Sequence, residues 1–221
     1  MREAAGWLGV PASTFQGWAH GYERAVAGRP ATVGRPIVLS LPTRGREPSI
    51  PFLGLAEGLV LSAFRKAGVS LQRIRPALER LDKEVGLEHA LASDRLYTDG
   101  ADVLYDYGTS VDQNLVTELV VVRNQQRVFT PIVRDYLRRI TYDSDHWAER
   151  IELPGYEHAR VIVDLDRAFG RPFLDRTGVR TEDVVDRWLA GDSIAELAGD
   201  FGLTGLEVED VVRAATRQFA A

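Results

Sequence analysis

The sequence predicts a mainly α protein with β-hairpins (α+β): an N-terminal winged helix-turn-helix, a β-rich middle and a C-terminal helical, helix-turn-helix-like domain. Three observations carry that expectation. Apolar residues recur at helical spacing over 52–81. β-branched runs bounded by Gly, Asp and Pro occupy the middle of the chain. A pattern of small, glycine and apolar residues suited to a helix-turn-helix occurs twice, near either end. The implied domains are 1–87, a winged helix-turn-helix; 88–159, a mixed α/β segment; and 160–221, a helical domain.

Two short helices open the chain, followed by Arg29-Pro30, a Pro/Gly/Arg-rich stretch to Pro48 and an expected strand from Ile37 to Leu41, which together suit a wing. From Phe52 the apolar positions Leu55, Leu59 and Phe64, then Leu71, Ile74, Leu78 and Leu81, predict a helix pair broken at Gly68 and capped again by Ser70. Arg95 to Tyr107 alternates around Asp99-Gly100, which predicts a hairpin. Leu115 to Val122 reads as a strand, Pro131 to Arg139 as a short helix and Arg160 to Asp164 as another strand. Thr181 is placed to cap a helix through Leu189 that stops at Gly191, and Ser193 with Glu196 forms a capping box for the next.

The N-terminal pattern is the informative one. Two helices packed across a sharp turn need a small residue on the first, Gly at the turn and apolar residues on the second facing back; Ala5, Gly9, Phe15 and Trp18 meet those demands. Leu8 and Val10 flank the turn, and Pro11 occupies the start of the second helix, where a missing N–H does no harm. The outward face then holds Ala12, Ser13, Gln16, Gly17 and His20. Gln16 can make a bidentate contact to adenine, Ser13 or Thr14 can reach phosphate, and Arg24, Arg44 and Arg46 can supply charge to the DNA backbone. Helix one starts at Met1 with no preceding residue to cap it, an arrangement that suggests native residues upstream.

Charge divides along the chain in the same sense. The net charge is -5, yet residues 1–80 carry 11 Lys+Arg against 5 Asp+Glu, and residues 81–221 carry 16 against 27. A basic N-terminal part suits phosphates. The second copy of the pattern, Ala198, Gly202, Val208 and Val211, stands 193 positions beyond the first, with Phe201 and Leu203 flanking its turn. Its expected outward face carries Glu207, Glu209 and Asp210, which would repel phosphates, so its expected role is assembly, partner docking or closing a core.

Glu3 to Thr14 resembles the N-terminal helix-turn-helix of regulators related to the mercury-resistance repressor family, and Gly68 to Arg75 resembles that family's following helix pair. Asp164 to Pro172, Thr177 to Val179 and Ala190 to Ala198 resemble the domain-of-unknown-function family numbered 433. Proteins joining these parts resemble mycobacterial antitoxins of the VapB type. That resemblance implies a repressor of its own operon, paired with a PIN-domain ribonuclease toxin, with operator DNA contacted through Ser13, Thr14, Gln16 and His20. It also implies a homodimer reading half-sites about one helical turn apart. PIN toxins hold magnesium with clustered acids, which makes Arg138 and Arg139 candidate toxin contacts.

Other chemistry has little support. The chain has no Cys, which removes disulfides, thiolate nucleophiles and thiolate metal sites. Neither a run of 18 apolar residues nor a signal-peptide layout occurs, so a cytoplasmic location is expected. The pairs Asp143/Asp145 and Asp164/Asp166 lack the further ligands and glycine of a calcium loop. His20, His89, His146 and His158 do not fall at metal-ligand spacing; Asp99, Asp102 and Asp106 read as solvated turn acids; no enzyme activity, cofactor or metal is expected. Two other readings stay open: a ligand-sensing regulator whose middle segment binds a small molecule, and a protein-interaction module that never touches DNA.

Overall fold

The computed structural model describes residues 1–26, 29–42, 49–85, 88–96, 101, 104, 120–123 and 126–219. They divide into two compact units, one of Met1–Ser13 with Glu149–Ala221 and the other of Thr14–Ala148.

The second of these is built on one apolar helix. In α3 (Phe52–Lys66) every residue from Gly54 to Phe64 is buried, so no face is left for water and the helix is a core element rather than an amphipathic one. It packs against α5 (Pro131–Leu137) and against a single 3-10 turn at Ala90–Ala92. Gly68, at φ +97°, reverses the chain into α4 (Leu71–Val85), as the spacing predicts. Two hairpins complete the unit: β1 (Tyr22–Val26) with β2 (Arg29–Gly34), and β3 (Val120–Arg123) with β4 (Gln126–Phe129). The short strand β5 (Ile140–Tyr142) follows α5.

Two expectations fail here. Ile37 to Leu41 is not a strand; the hairpin lies earlier, at 22–34. The reason is where the backbone donors go: Ile37 and Val38 N–H donate to the Trp18 carbonyl, Leu39 N–H to the buried Glu57 carboxylate at 2.6 Å, and Leu41 N–H to the Ser49 carbonyl. With those four donors committed elsewhere, the segment forms no regular ladder. The segment lies so close to α3 that a Cβ at Gly54 would sit 2.2 Å from the Leu39 carbonyl oxygen. The expected hairpin at 95–107 is the second correction. Arg95, Leu96, Ala101 and Leu104 have helical backbone, and the last three are buried, so packing against the core overrides the local turn preference. Asp99-Gly100 lies outside the described residues, as do Asp102, Asp106 and residues 115–119 of the expected strand that ends in β3.

The other unit is a small antiparallel sheet with a helical bundle. Strands β6 (Ala148–Glu152), β7 (Val161–Asp164) and β8 (Phe173–Leu174) pair in that order, and Ile151, Val161, Ile162, Val163, Phe173 and Leu174 are buried. Three helices complete it: α6 (Thr181–Leu189), α7 (Ile194–Phe201) and α8 (Gly205–Phe219), each touching the other two. The expected Ser193–Glu196 capping box at the start of α7 forms with both reciprocal bonds, whereas α6 starts after Arg180 and the Thr181 hydroxyl donates to the Pro172 carbonyl instead. The first helix of the chain, α1 (Arg2–Trp7), packs on α8, and Arg171 pairs with Glu3 at 3.3 Å. None of the described helices is long and apolar enough to cross a membrane.

Candidate nucleic-acid interface

The second helix of the N-terminal pattern, α2 (Ala12–His20), has two distinct faces. Phe15, Trp18 and Ala19 are buried, whereas Ser13, Gln16 and His20 are exposed. Positions i, i+3 and i+7 fall on one side of a helix, so the three polar side chains form a single stripe. Thr14 is half-buried. Arg24 lies in β1 with its side chain outside the described part, and Arg44 and Arg46 lie outside the described residues.

The turn ahead of α2 is a Schellman motif. Gly9 sits at φ +65°, Val10 N–H donates to the Ala5 carbonyl at 2.9 Å, and Gly9 N–H donates to the Gly6 carbonyl at 3.1 Å. The second copy reproduces it donor for donor, 193 positions on: Gly202 at φ +64°, Leu203 to Ala198 at 2.8 Å, Gly202 to Gly199 at 3.4 Å.

The copies part company after the turn, and differently from expectation. Of the three acids expected to face outward, only Glu209 does. Asp210 is buried, and one of its carboxylate oxygens accepts the N–H groups of Glu157, His158 and Ala159 at 2.8, 2.5 and 3.0 Å. Burial works against its ionisation, but the three backbone donors, aided by His158, outweigh burial and hold its pKa below the ordinary value. Glu207 forms a capping box with Thr204 and pairs with Arg176 at 2.8 Å; against burial, these contacts likewise keep its pKa low. These carboxylates build the unit rather than repel a ligand. Nothing in the spacing distinguished them from surface acids, because the loop that uses Asp210 lies some fifty residues away in sequence.

Elsewhere, Arg138 is exposed with a long 4.0 Å pair to Asp135, and Arg139 is half-buried with its guanidinium 6.0 Å from the Tyr136 ring centre. Asp143 and Asp164 each turn a carboxylate oxygen onto the N–H two residues on, at 2.9 Å, the usual work of a turn acid. The turn at 168–170 gave no sequence signal. Ala168, Phe169 and Gly170 are three successive residues at positive φ (50°, 53° and 69°), and they hold the Phe169 ring 99% exposed. Arg167, whose guanidinium lies 4.6 Å from the Phe173 ring centre, and the Arg171 N–H bond to Ala168 fix the turn. Two non-glycine residues in the left-handed region and a solvated aromatic ring each cost stability.

A glycine-turned helix pair with a polar second helix at one end, and a strand-and-three-helix unit at the other, define a helix-turn-helix protein joined to a small C-terminal domain. Family models match both parts: "Putative DNA-binding HTH domain" over residues 1–78 and "Protein of unknown function (DUF433)" over residues 161–215. The chain is 44% identical over 220 residues to "Putative antitoxin VapB45" of Mycobacterium tuberculosis, an alignment covering 97% of this chain and 92% of that protein. It also matches the crystal structure of Rv2018 from Mycobacterium tuberculosis at 40% identity and TM-score 0.81, over 95% of this chain and 94% of that one. The chain belongs to the VapB45 family.

Proposed function

We propose that the protein is a type II antitoxin that represses its own operon through α2 and neutralises a PIN-domain ribonuclease by direct binding. The observation that carries this reading is the solvent-facing stripe Ser13, Gln16 and His20 behind a glycine turn, in a chain related over nearly its whole length to a protein named as an antitoxin. Small and polar groups on such a face enter a major groove without steric penalty, and a glutamine amide matches adenine's paired donor and acceptor. In this reading Ser13 and Thr14 hold phosphate, Gln16 and His20 read base edges, and Arg24, Arg44 and Arg46 neutralise the backbone. Two copies of the chain bind as a homodimer on paired half-sites.

The toxin faces Arg138 and Arg139, which meet the acids of the ribonuclease's metal site.

Each half has its own experiment. DNA from upstream of the gene is titrated with the wild-type protein and with a Gln16→Ala/Arg24→Ala double variant, at two salt concentrations. A loss of about tenfold or more in affinity is expected, from one lost base contact of about 1–3 kcal/mol and one lost phosphate contact. Unchanged affinity rejects α2 as the reading helix. In a second experiment the protein is co-expressed with any PIN-domain ribonuclease whose reading frame adjoins its own; the absence of such a frame, or failure of the two to co-purify, counts against neutralisation.

A further inference from the structure

The unit containing α1 and α8 carries 10 arginines and no lysine against 16 acids, and most of those arginines are ion-paired. Among the described residues, seven of those arginines hold a carboxylate within 4.0 Å, and an eighth, Arg167, lies over the Phe173 ring. Arg2 and Arg217 hold none among these residues. Arg217 donates to the Gly155 carbonyl, at 3.0 Å. Both line the same cavity of about 350 Å³, whose other walls include Trp7, Pro11, Tyr156 and Ala214. Its walls are thus largely apolar, two of them aromatic, and its charges are of one sign.

That volume lies at the small end of the range of about 300–1,000 Å³ that small-molecule sites occupy. The Tyr156 phenol, which burial pushes up to about 12 despite Arg217, is protonated at neutral pH as any phenol of ordinary pKa is, and it offers a donor. Two guanidinium groups without a carboxylate partner among the described residues, one of them also held by the Gly155 carbonyl, and a neutral hydroxyl beside aromatic walls complement a planar apolar body that carries one anionic group.

We infer that this cavity is a binding site for a small aromatic carboxylate, held by Arg2 and Arg217 with its ring between the apolar walls. The inference does not depend on DNA or toxin binding. It places a ligand against the turn Gly9-Val10-Pro11 and the first residue of α2, the segment that sets where that helix begins. The site differs from the middle segment, where a regulator of the ligand-sensing kind would be expected to bind.

Saturation-transfer NMR on the full chain tests it, with indole-3-acetate as probe and indole-3-ethanol as its uncharged counterpart. The acid is expected to bind with a dissociation constant near or below about 1 mM and about tenfold or more tighter than the alcohol. Arg2→Gln/Arg217→Gln is expected to erase that preference, and Ala214→Leu, which adds bulk inside the cavity, to abolish binding of both. The thermal melt of each variant reports whether it folds, and the arginine variants, lying at the rim, keep the test decisive if Ala214→Leu does not fold. Absence of saturation transfer from the acid at about 10 mM overturns the inference. So does equal affinity for acid and alcohol, or wild-type binding in a folded Ala214→Leu variant.

Discussion

Asp210 shows how much a single side chain can carry without announcing itself. Its carboxylate closes the loop at 157–159 by accepting three consecutive backbone N–H groups, and Arg213 stands 3.7 Å from its other oxygen. Hydrogen bonds to a charged group contribute about 1.5–3 kcal/mol, and losing the charge leaves three donors competing for a weaker acceptor. Asp210→Asn should therefore cost about 2–3 kcal/mol at neutral pH. The pH dependence has a definite sign. Because the folded pKa is depressed, the stabilisation is fully present above the unfolded value of about 3.9 and is lost as pH falls through the lower folded value. Denaturant titrations at about pH 7 and about pH 3 should show the difference between wild type and variant shrinking in acid; an equal difference at both would mean that the charge is not what holds the loop. At this scale the sequence was least legible. Ser13, Gln16 and His20 were placed on the exposed face by spacing alone, but Asp210 and Phe169 look like any acid and any aromatic residue until distant backbone meets the one and left-handed backbone lifts the other.

Several elements whose signal is local were read correctly, whereas segments overridden by tertiary contacts, the expected hairpin at 95–107 among them, were not. The capping box at Ser193, the reversal at Gly68 and the helices 131–137 and 181–189 each arise from residues a turn apart. The segment 37–41 carries strand-like residues, yet its donors are taken by Trp18, Glu57 and Ser49, none of them a neighbour in sequence. The repeated turn is the element on which spacing and structure agree best, and it yields a matched test. Gly9 and Gly202 differ by 1° in φ, and a Cβ on either would meet no atom within 4 Å. Replacing each by Ala therefore charges only the left-handed backbone, about 1 kcal/mol, with no steric term to separate them. Gly9→Ala and Gly202→Ala should lower stability by the same amount within a few tenths of a kcal/mol in denaturant titrations. A clearly larger cost at one of them would show that the turn there does more than reverse the chain.

The division of the whole molecule is not collinear with its sequence. Contiguity along the chain assigns residues 1–13 to the same domain as residues 14–87, because the two helices of a helix-turn-helix are neighbours in sequence, whereas compact packing groups 1–13 with 149–221. Charge looks different in that grouping too: the unit holding α8 carries 10 Lys+Arg against 16 Asp+Glu, the other 17 against 16, so the basic excess of residues 1–80 is diluted in space by acids from the middle segment. The packing of α1 on α8 has a consequence that contiguity does not. Ala4 is 5% exposed on α1, and a carboxylate placed there must either stay buried or break the helix away, costing at least about 2 kcal/mol. If α1 is an integral part of that unit, the penalty falls on α7 and α8, nearly two hundred residues distant in sequence, rather than on α3. Amide hydrogen exchange on Ala4→Asp should then show faster exchange across residues 194–217, with the slow core of 54–64 unchanged. Loss of protection in 54–64 with 194–217 intact would assign the first helix to the unit of Thr14–Ala148 instead.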